Sequence, residues 1–155
     1  MPDAAQDSEH PHLILETFLP YQLSILSNTV SNAIARDYQE RFGLSVPEWR
    51  VLAVLGRFGP DSASGVCDHT AMDKVTVSRA MNRLAQQGLI EREADAGDRR
   101  RVIARLTRKG RTTHDKIVPV ALAHERRLRD TLSAGEARTL DRLLAKLQAA
   151  ARAAD

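Results

Sequence analysis

The chain has few of the residues and segments that define several classes of protein. Its 155 residues include one cysteine, one tryptophan and only 4% aromatic residues in all. A single cysteine excludes an intrachain disulfide framework, and no apolar run reaches the roughly 20 residues that a membrane helix requires. A phosphate loop, a nucleophile elbow and a paired-carboxylate signature are also missing. With no signal peptide visible, we expect a cytoplasmic protein that is not an enzyme, needs no cofactor or metal, and has no membrane partner.

The net charge is small, but the charges are unevenly placed. The chain carries 23 basic and 20 acidic residues, a formal charge of +3. The segment from Arg99 to Arg111 holds seven Arg or Lys and no acid, whereas the first sixteen residues hold four acids and no Lys or Arg. Any affinity for nucleic acid must therefore come from local charge placement rather than from total charge. A basic run alone also fits an ordinary solvated surface.

A polar helix is predicted to begin near Asp73 and to end before Gly88, where glycine can adopt the left-handed conformation. At 100° per residue, one face of this helix is apolar and should enter a core. That face consists of Val77, Ala80, Met81 and Leu84. The opposite face has no Glu and exposes Val75 without a packing gain, which is unusual for a solvated surface.

The outward side chains of this helix suit duplex DNA. Arginine can chelate guanine, asparagine can pair with adenine, a small apolar side chain can meet a thymine methyl group, and hydroxyls can hold phosphates. We therefore predict DNA contacts from seven residues of the helix: Lys74, Val75, Thr76, Ser78, Arg79, Asn82 and Arg83.

A charged β-hairpin follows the helix. Its predicted strands are residues 89–93 and 99–107, and residues 94–98 form the loop between them. Apolar residues alternate with other side chains along the second strand, which predicts one buried face. The predicted buried residues are Val102, Ala104 and Leu106.

Three consecutive arginines stand at the start of the second predicted strand. They repel one another unless phosphates or a narrow minor groove neutralise them. Asp98 precedes Arg100 by two residues, so on an extended chain its carboxylate can brace that guanidinium. We predict DNA contacts by Asp98, Arg99 and Arg100, as expected for the wing of a winged helix-turn-helix.

Taken in order, these segments resemble the MarR family of bacterial transcription regulators. The matching segments are residues 44–52, Leu-Ser-Val-Pro-Glu-Trp-Arg-Val-Leu; residues 72–79, Met-Asp-Lys-Val-Thr-Val-Ser-Arg; the Asp-Arg-Arg of residues 98–100; and the Leu-Thr-x-x-Gly of residues 106–110. The resemblance implies a homodimeric regulator whose promoter binding is released by a small ligand or by oxidation. Ala71 departs from the family, which more often has Gly in this turn. If the position needs a positive φ, alanine destabilises it by about 1 kcal/mol.

The predicted fold is mainly α-helical with a small β-hairpin wing, a winged helix-turn-helix plus a helical dimerisation region. We expect a flexible N-terminus at residues 1–12, a DNA-binding domain at residues 44–110, and a dimerisation region at residues 13–42 and 111–152. Two capping boxes, Ser45 to Glu48 and Ser133 to Glu136, predict helix starts. Apolar stripes on the first and last helices have no core of their own to cover, so we expect them to pack between two chains.

A twofold dimer would bring two recognition helices to successive major grooves about 34 Å apart. The expected DNA partner is therefore a near-palindromic operator, and the expected action is repression. A small-molecule effector would bind in the crevice between the dimer helices and the DNA-binding domain, where it changes their spacing. Candidate lining residues are Asn28, Asn32, Trp49 and His114. The resemblance suggests an aromatic acid or its coenzyme A thioester.

Two alternatives remain open from the sequence. One is a thiol-based oxidant sensor acting through Cys67, although this position also suits a small core residue. The other is a winged-helix module for protein contacts, which would bind DNA weakly and without sequence preference.

Overall fold

Residues 11–154 are described by the computed structural model of the protein, and they form six α-helices and three short strands. The helices are α1 (Leu19–Phe42), α2 (Val46–Phe58), α3 (Ala63–Thr70), α4 (Lys74–Gln86), α5 (Arg108–Arg129) and α6 (Ala134–Ala153). The strands are β1 (Asp61–Ser62), β2 (Ile90–Ala94) and β3 (Val102–Leu106). The predicted flexible N-terminus lies almost entirely outside the described residues. No helix within residues 11–154 is long and apolar enough to cross a membrane.

Short-range sequence signals set the ends of several helices. At the start of α2 the Glu48 amide donates to Ser45 Oγ, and the Ser45 amide donates back to the Glu48 carboxylate. The same reciprocal pair joins Ser133 and Glu136 at the start of α6. At the other end of α1, Gly43 takes a left-handed conformation with φ 65°. Both predicted capping boxes are confirmed, because each satisfies two otherwise unpaired N–H groups within four residues.

The three strands form one antiparallel sheet in the order β1–β3–β2. β2 pairs with β3 along its whole length, from Ile90 opposite Leu106 to Ala94 opposite Val102. No pattern in the sequence predicts β1. It is only two residues long, and its partner strand lies far along the chain, so no local periodicity marks it.

The second strand of the wing is shorter than predicted. It begins at Val102, and the three arginines before it belong to the turn that joins β2 to β3. The expected burial of Val102 is also wrong, since this residue is 52% exposed. Val102 pairs with the exposed Ala94 at the outer end of the hairpin, beyond the part of the sheet that covers the core.

The core lies where α2, α3 and α4 meet the base of the sheet. Its most deeply buried side chains are Tyr38, Leu44, Val51, Leu52, Leu55, Val66, Val77, Leu84 and Ile117. From α1 only Ala35 and Tyr38 are buried, and α6 contributes no buried residue. Ile34 and Phe42 of α1 are partly buried against the core, whereas most of the other large apolar side chains of α1 and α6 are exposed on the single chain.

Candidate nucleic-acid interface

Helix α4 has the two faces predicted for it. The four residues of its apolar stripe, Val77, Ala80, Met81 and Leu84, are each at most 3% exposed. On the opposite side Val75 is 58% exposed, and Arg79 and Asn82 are also exposed. Of the seven predicted contacts, six are exposed and one, Thr76, is half-buried. The exposed six are Lys74, Val75, Ser78, Arg79, Asn82 and Arg83.

Thr76 is bonded within the protein at the start of α4. Its amide donates to Asp73 Oδ1 at 2.8 Å, and its hydroxyl donates to Asp73 Oδ2 at 2.6 Å. These hydrogen bonds, the hydroxyl one first, hold the pKa of the Asp73 carboxyl below its usual value. A phosphate is also an acceptor, so a Thr76 contact with DNA would compete with this cap. The structure thus gives Thr76 a role in setting where the helix begins.

Arg83 connects α4 to the start of α2. Its Nη1 lies 3.8 Å from Oε1 of Glu48, whose side chain is only 3% exposed, while the Arg83 side chain is 72% exposed. A buried carboxylate requires partners, and Glu48 has both this guanidinium and the Ser45 amide. Arg83 therefore contacts a buried carboxylate of α2 and also lies on the predicted DNA-facing surface.

Arg92 of β2 contacts the outward face of α4 and was not among the predicted site residues. Its Nη1 donates to Asn82 Oδ1 at 2.7 Å. A signal for it exists in the sequence, because Arg92 is two residues after Ile90 and therefore on the same side of the strand. Ile90 is 3% exposed and belongs to the core beneath α4. The strand thus directs Arg92 toward the helix.

The tip of the wing is a tight turn, which corrects the predicted role of Asp98. Its carboxylate accepts the Arg100 backbone N–H at 3.0 Å rather than the guanidinium. Its carbonyl oxygen accepts the Arg101 backbone N–H at 2.9 Å. The chain is folded back here rather than extended, so Asp98 braces the turn and leaves the exposed side chains of Arg99 and Arg100 at the tip.

Two further arginines hold the wing in place. Arg101 donates to the buried Ser62 Oγ at 3.1 Å, which ties the wing to the N-cap residue of α3. On the face of the sheet away from α4, Arg105 forms ion pairs with Glu91 and Glu93. The basic segment at residues 99–111 is therefore divided between the tip, which is exposed, and the base, which is structural.

The Leu-Thr-x-x-Gly segment fastens the base of the wing to the end of α4. The Thr107 hydroxyl donates to the Gly88 carbonyl at 2.6 Å and accepts the Gly110 amide at 3.0 Å, which caps α5. Gly110 lies so close to the Leu89 carbonyl that a Cβ there would overlap it. Lys109 Nζ adds a bond to the Gln87 carbonyl at 2.8 Å. The motif thus joins recognition helix, wing and α5 by close backbone contact.

Ala71, in the turn between α3 and α4, has φ 55°. It is the only non-glycine residue with positive φ in the described part of the chain. Position 71 therefore does require a positive φ, as considered from the sequence. Alanine is strained in this conformation, and glycine would remove the strain.

The four candidate effector residues occupy two kinds of position. Trp49 and His114 face each other with ring centroids 5.9 Å apart, and the buried Tyr38 lies 5.9 Å from Trp49 on another side. Burial raises the pKa of Tyr38 to about 12. Asn28 and Asn32 are exposed on α1, next to Ser31, whose hydroxyl accepts a hydrogen bond from Arg50.

Cys67 is half-buried on α3 and packs against the core. His69, two residues further along α3, stacks on Phe58 with ring centroids 4.0 Å apart. Within residues 11–154, no group of three or more His, Cys, Asp or Glu side chains is arranged to hold a metal ion.

Comparison with known proteins accords with this geometry. The profile of the MarR family matches residues 42–101, from the end of α1 to the tip of the wing. The chain is also 31% identical over 137 residues to the transcriptional regulator MgrA of Staphylococcus aureus, which covers 86% of this chain and 89% of that protein. The chain belongs to the MarR family. It is therefore a DNA-binding transcriptional regulator and not an enzyme.

Two further DNA-binding regulators are similar to this chain. The transcriptional repressor NicR of Pseudomonas putida is 33% identical over 96 residues, which are 62% of this chain and 61% of NicR. The structure of Bordetella bronchiseptica BpsR, described as regulated in DNA binding by 6-hydroxynicotinic acid, superposes with a TM-score of 0.77 at 26% identity. That alignment covers 90% of this chain and 98% of BpsR. The mainly helical fold with a small antiparallel wing is the MarR fold.

Proposed function

We propose that this MarR-family regulator is a homodimeric repressor that binds a near-palindromic operator through α4 and the wing. The observation that carries the proposal is the Asn82–Arg92 bond, because it joins the outward face of α4 to the wing strand in one surface. Base contacts would come from Val75, Arg79 and Asn82, and phosphate or minor-groove contacts from Lys74, Ser78, Arg99 and Arg100.

The proposed division of the chain follows from its exposed surfaces. We assign residues 44–110 to DNA binding, and residues 13–42 with 111–152 to dimerisation. The dimerisation segments carry large apolar side chains at the surface, including Leu26 at 60% and Leu140 at 40% exposure. Burying such side chains against a second chain is favourable, at roughly 25 cal/mol per Å². A transcriptional regulator acts on the chromosome, so the cytoplasm is the expected compartment.

Fluorescence anisotropy tests the DNA-binding part of the proposal. The purified protein is titrated onto the intergenic DNA beside its own gene and onto shuffled DNA at the same salt concentration. We expect tight binding to the first only, and a loss of about 10- to 100-fold on Arg79→Ala. Arg138→Ala, which removes the same charge from the exposed surface of α6, is the matched control. Equal weak binding to both DNAs would support a protein-interaction module instead.

We further propose that an aromatic acid or its thioester binds beside Trp49 and His114, with Asn28 and Asn32 at the rim, and releases the operator. BpsR supports this proposal, because its DNA binding is regulated by 6-hydroxynicotinic acid, which is an aromatic acid. Since Trp49 is the only tryptophan, its fluorescence reports directly on this position. A panel of aromatic acids should shift the emission and lower DNA affinity at the same concentration. A panel that changes neither signal would refute the effector proposal while leaving the DNA-binding proposal intact.

A further inference from the structure

The bond between Asn82 and Arg92 limits how the Asn82 amide can meet a base. Arg92 Nη1 lies 2.7 Å from Asn82 Oδ1, and both side chains are exposed on the surface proposed to face DNA. A guanidinium has five N–H donors and no acceptor, so its partner on an asparagine must be the oxygen. One lone pair of Oδ1 is thereby occupied by a cationic donor, whereas both N–H groups of Nδ2 remain available for a base edge.

The sheet holds Arg92 in this position. Ile90, Arg92 and Ala94 lie on one side of β2, and Ile90 is anchored in the core. The two acids of the strand, Glu91 and Glu93, lie on the opposite side, where both pair with Arg105. The carboxylates next to Arg92 in sequence are thus directed away from it, and its guanidinium donates to the Asn82 oxygen.

Asparagine usually reads adenine with both ends of its amide. The oxygen accepts the adenine N6 amino group, and the nitrogen donates to N7. In this protein an adenine amino group would have to share Asn82 Oδ1 with the Arg92 guanidinium, which is already a cationic donor to that oxygen. Guanine, by contrast, presents two neighbouring acceptors, O6 and N7, and the Nδ2 group can donate to both.

We propose that Arg92 is a specificity-determining residue that sets Asn82 to read guanine rather than adenine. This inference rests on the proposed function, because it requires α4 to lie in the major groove. Removing Arg92 frees the Asn82 oxygen, so the same asparagine should then accept adenine. The expected change is a reversal of the guanine-over-adenine preference at one base position, by about tenfold in relative affinity.

Selection of binding sites from a randomised duplex pool, followed by anisotropy on the selected sites, tests the inference. The proteins are the full-length wild type, Asn82→Ala, Arg92→Ala and Arg99→Ala. Asn82→Ala identifies the position that Asn82 reads, as the one whose preference disappears. Arg99→Ala is the matched control, because it removes one exposed charge from the wing tip without touching Asn82. It should weaken binding to all sequences alike.

The outcomes separate this inference from the proposed function. Guanine at the Asn82 position in wild type, turning to adenine in Arg92→Ala only, supports it. Three results would overturn the inference: adenine at that position in wild type, an unchanged base preference in Arg92→Ala, or no base position that loses its preference in Asn82→Ala. In each case sequence-specific binding by the protein still stands. If wild type selects no sequence, the proposed function fails and the inference fails with it.

Discussion

The DNA-binding domain and the terminal helices of this chain bury their apolar residues in opposite ways. Among the described residues, all but three of the buried hydrophobic side chains lie between Leu44 and Ala104. The exposed large hydrophobic side chains show the reverse, because only Phe58, Val75 and Val102 fall in that range. The first region is therefore complete within one chain, whereas the second presents an apolar surface that a single chain leaves in water.

The difference agrees with the proposal that the terminal helices are the part of the molecule that depends on assembly. Large contiguous apolar patches are uncommon on the surface of monomers and typically mark an interaction surface. In the proposed dimer, the terminal helices would cover one another and fix the distance between the two DNA-binding domains. Stability of the fold and affinity for DNA should then respond to different substitutions.

The largest effect is expected from breaking the apolar face of α6. Leu140→Asp with Leu144→Asp places two charges where a second chain should pack, so light scattering should report monomers. Loss of bivalent contact should lower operator affinity by about 100-fold or more. Arg142→Asp, on the opposite face of the same helix, should remain dimeric. Dimers of the double variant, with unchanged DNA affinity, would exclude α6 from the interface.

A large effect on stability is expected within the DNA-binding domain from Gly110→Ala. The new Cβ would overlap the Leu89 carbonyl, so either α5 or the base of the wing must shift. Such overpacking destabilises by about 1–3 kcal/mol, which urea unfolding measures. Gly135→Ala is the control, because the nearest atom to its Cβ would be Ser133 Oγ at 4.0 Å. Similar stability of the two variants would show that the contact at Gly110 relaxes at no cost.

A smaller effect of opposite sign is expected at Ala71. Glycine tolerates its φ of 55°, so Ala71→Gly should raise the free energy of unfolding by roughly 0.5–1 kcal/mol. Ala145→Gly makes the same replacement at an exposed site inside α6, where it should instead destabilise. If both replacements destabilise, the turn between α3 and α4 gains nothing from glycine.

The smallest effect is expected at the cap of α4 and depends on pH. The pKa of Asp73 is lowered in the folded protein, so its charge stabilises the fold above the usual aspartate pKa. This contribution should disappear as the pH falls through the lowered value. Asp73→Asn keeps an acceptor at the cap without the charge. Wild type should be the more stable at pH 7, and the difference should vanish in acid; a constant difference would assign the effect to geometry alone.

The parts of this structure that could be predicted from the sequence are set by residues close together in the chain. The capping box of α2 needs only Ser45 and Glu48, and the end of α1 needs only Gly43. The buried stripe of α4 follows from its helical period alone. The wing was predicted as a hairpin, but its second strand was predicted to begin at Arg99 rather than at Val102, because the alternation at Arg101 and Val102 looks like a strand.

The sequence by itself determined the MarR-family fold, the two faces of α4 and the apolar surfaces of the terminal helices, because periodicity and capping act within a few residues. Only the tertiary structure decided that β1 pairs with β3, that Arg83 lies within ion-pair distance of the buried Glu48, and that Arg92 bonds to Asn82. Each of these contacts joins two different elements of the fold. Their geometry exists only after the helices and the sheet have packed, and it is this geometry that orients the groups proposed to read DNA.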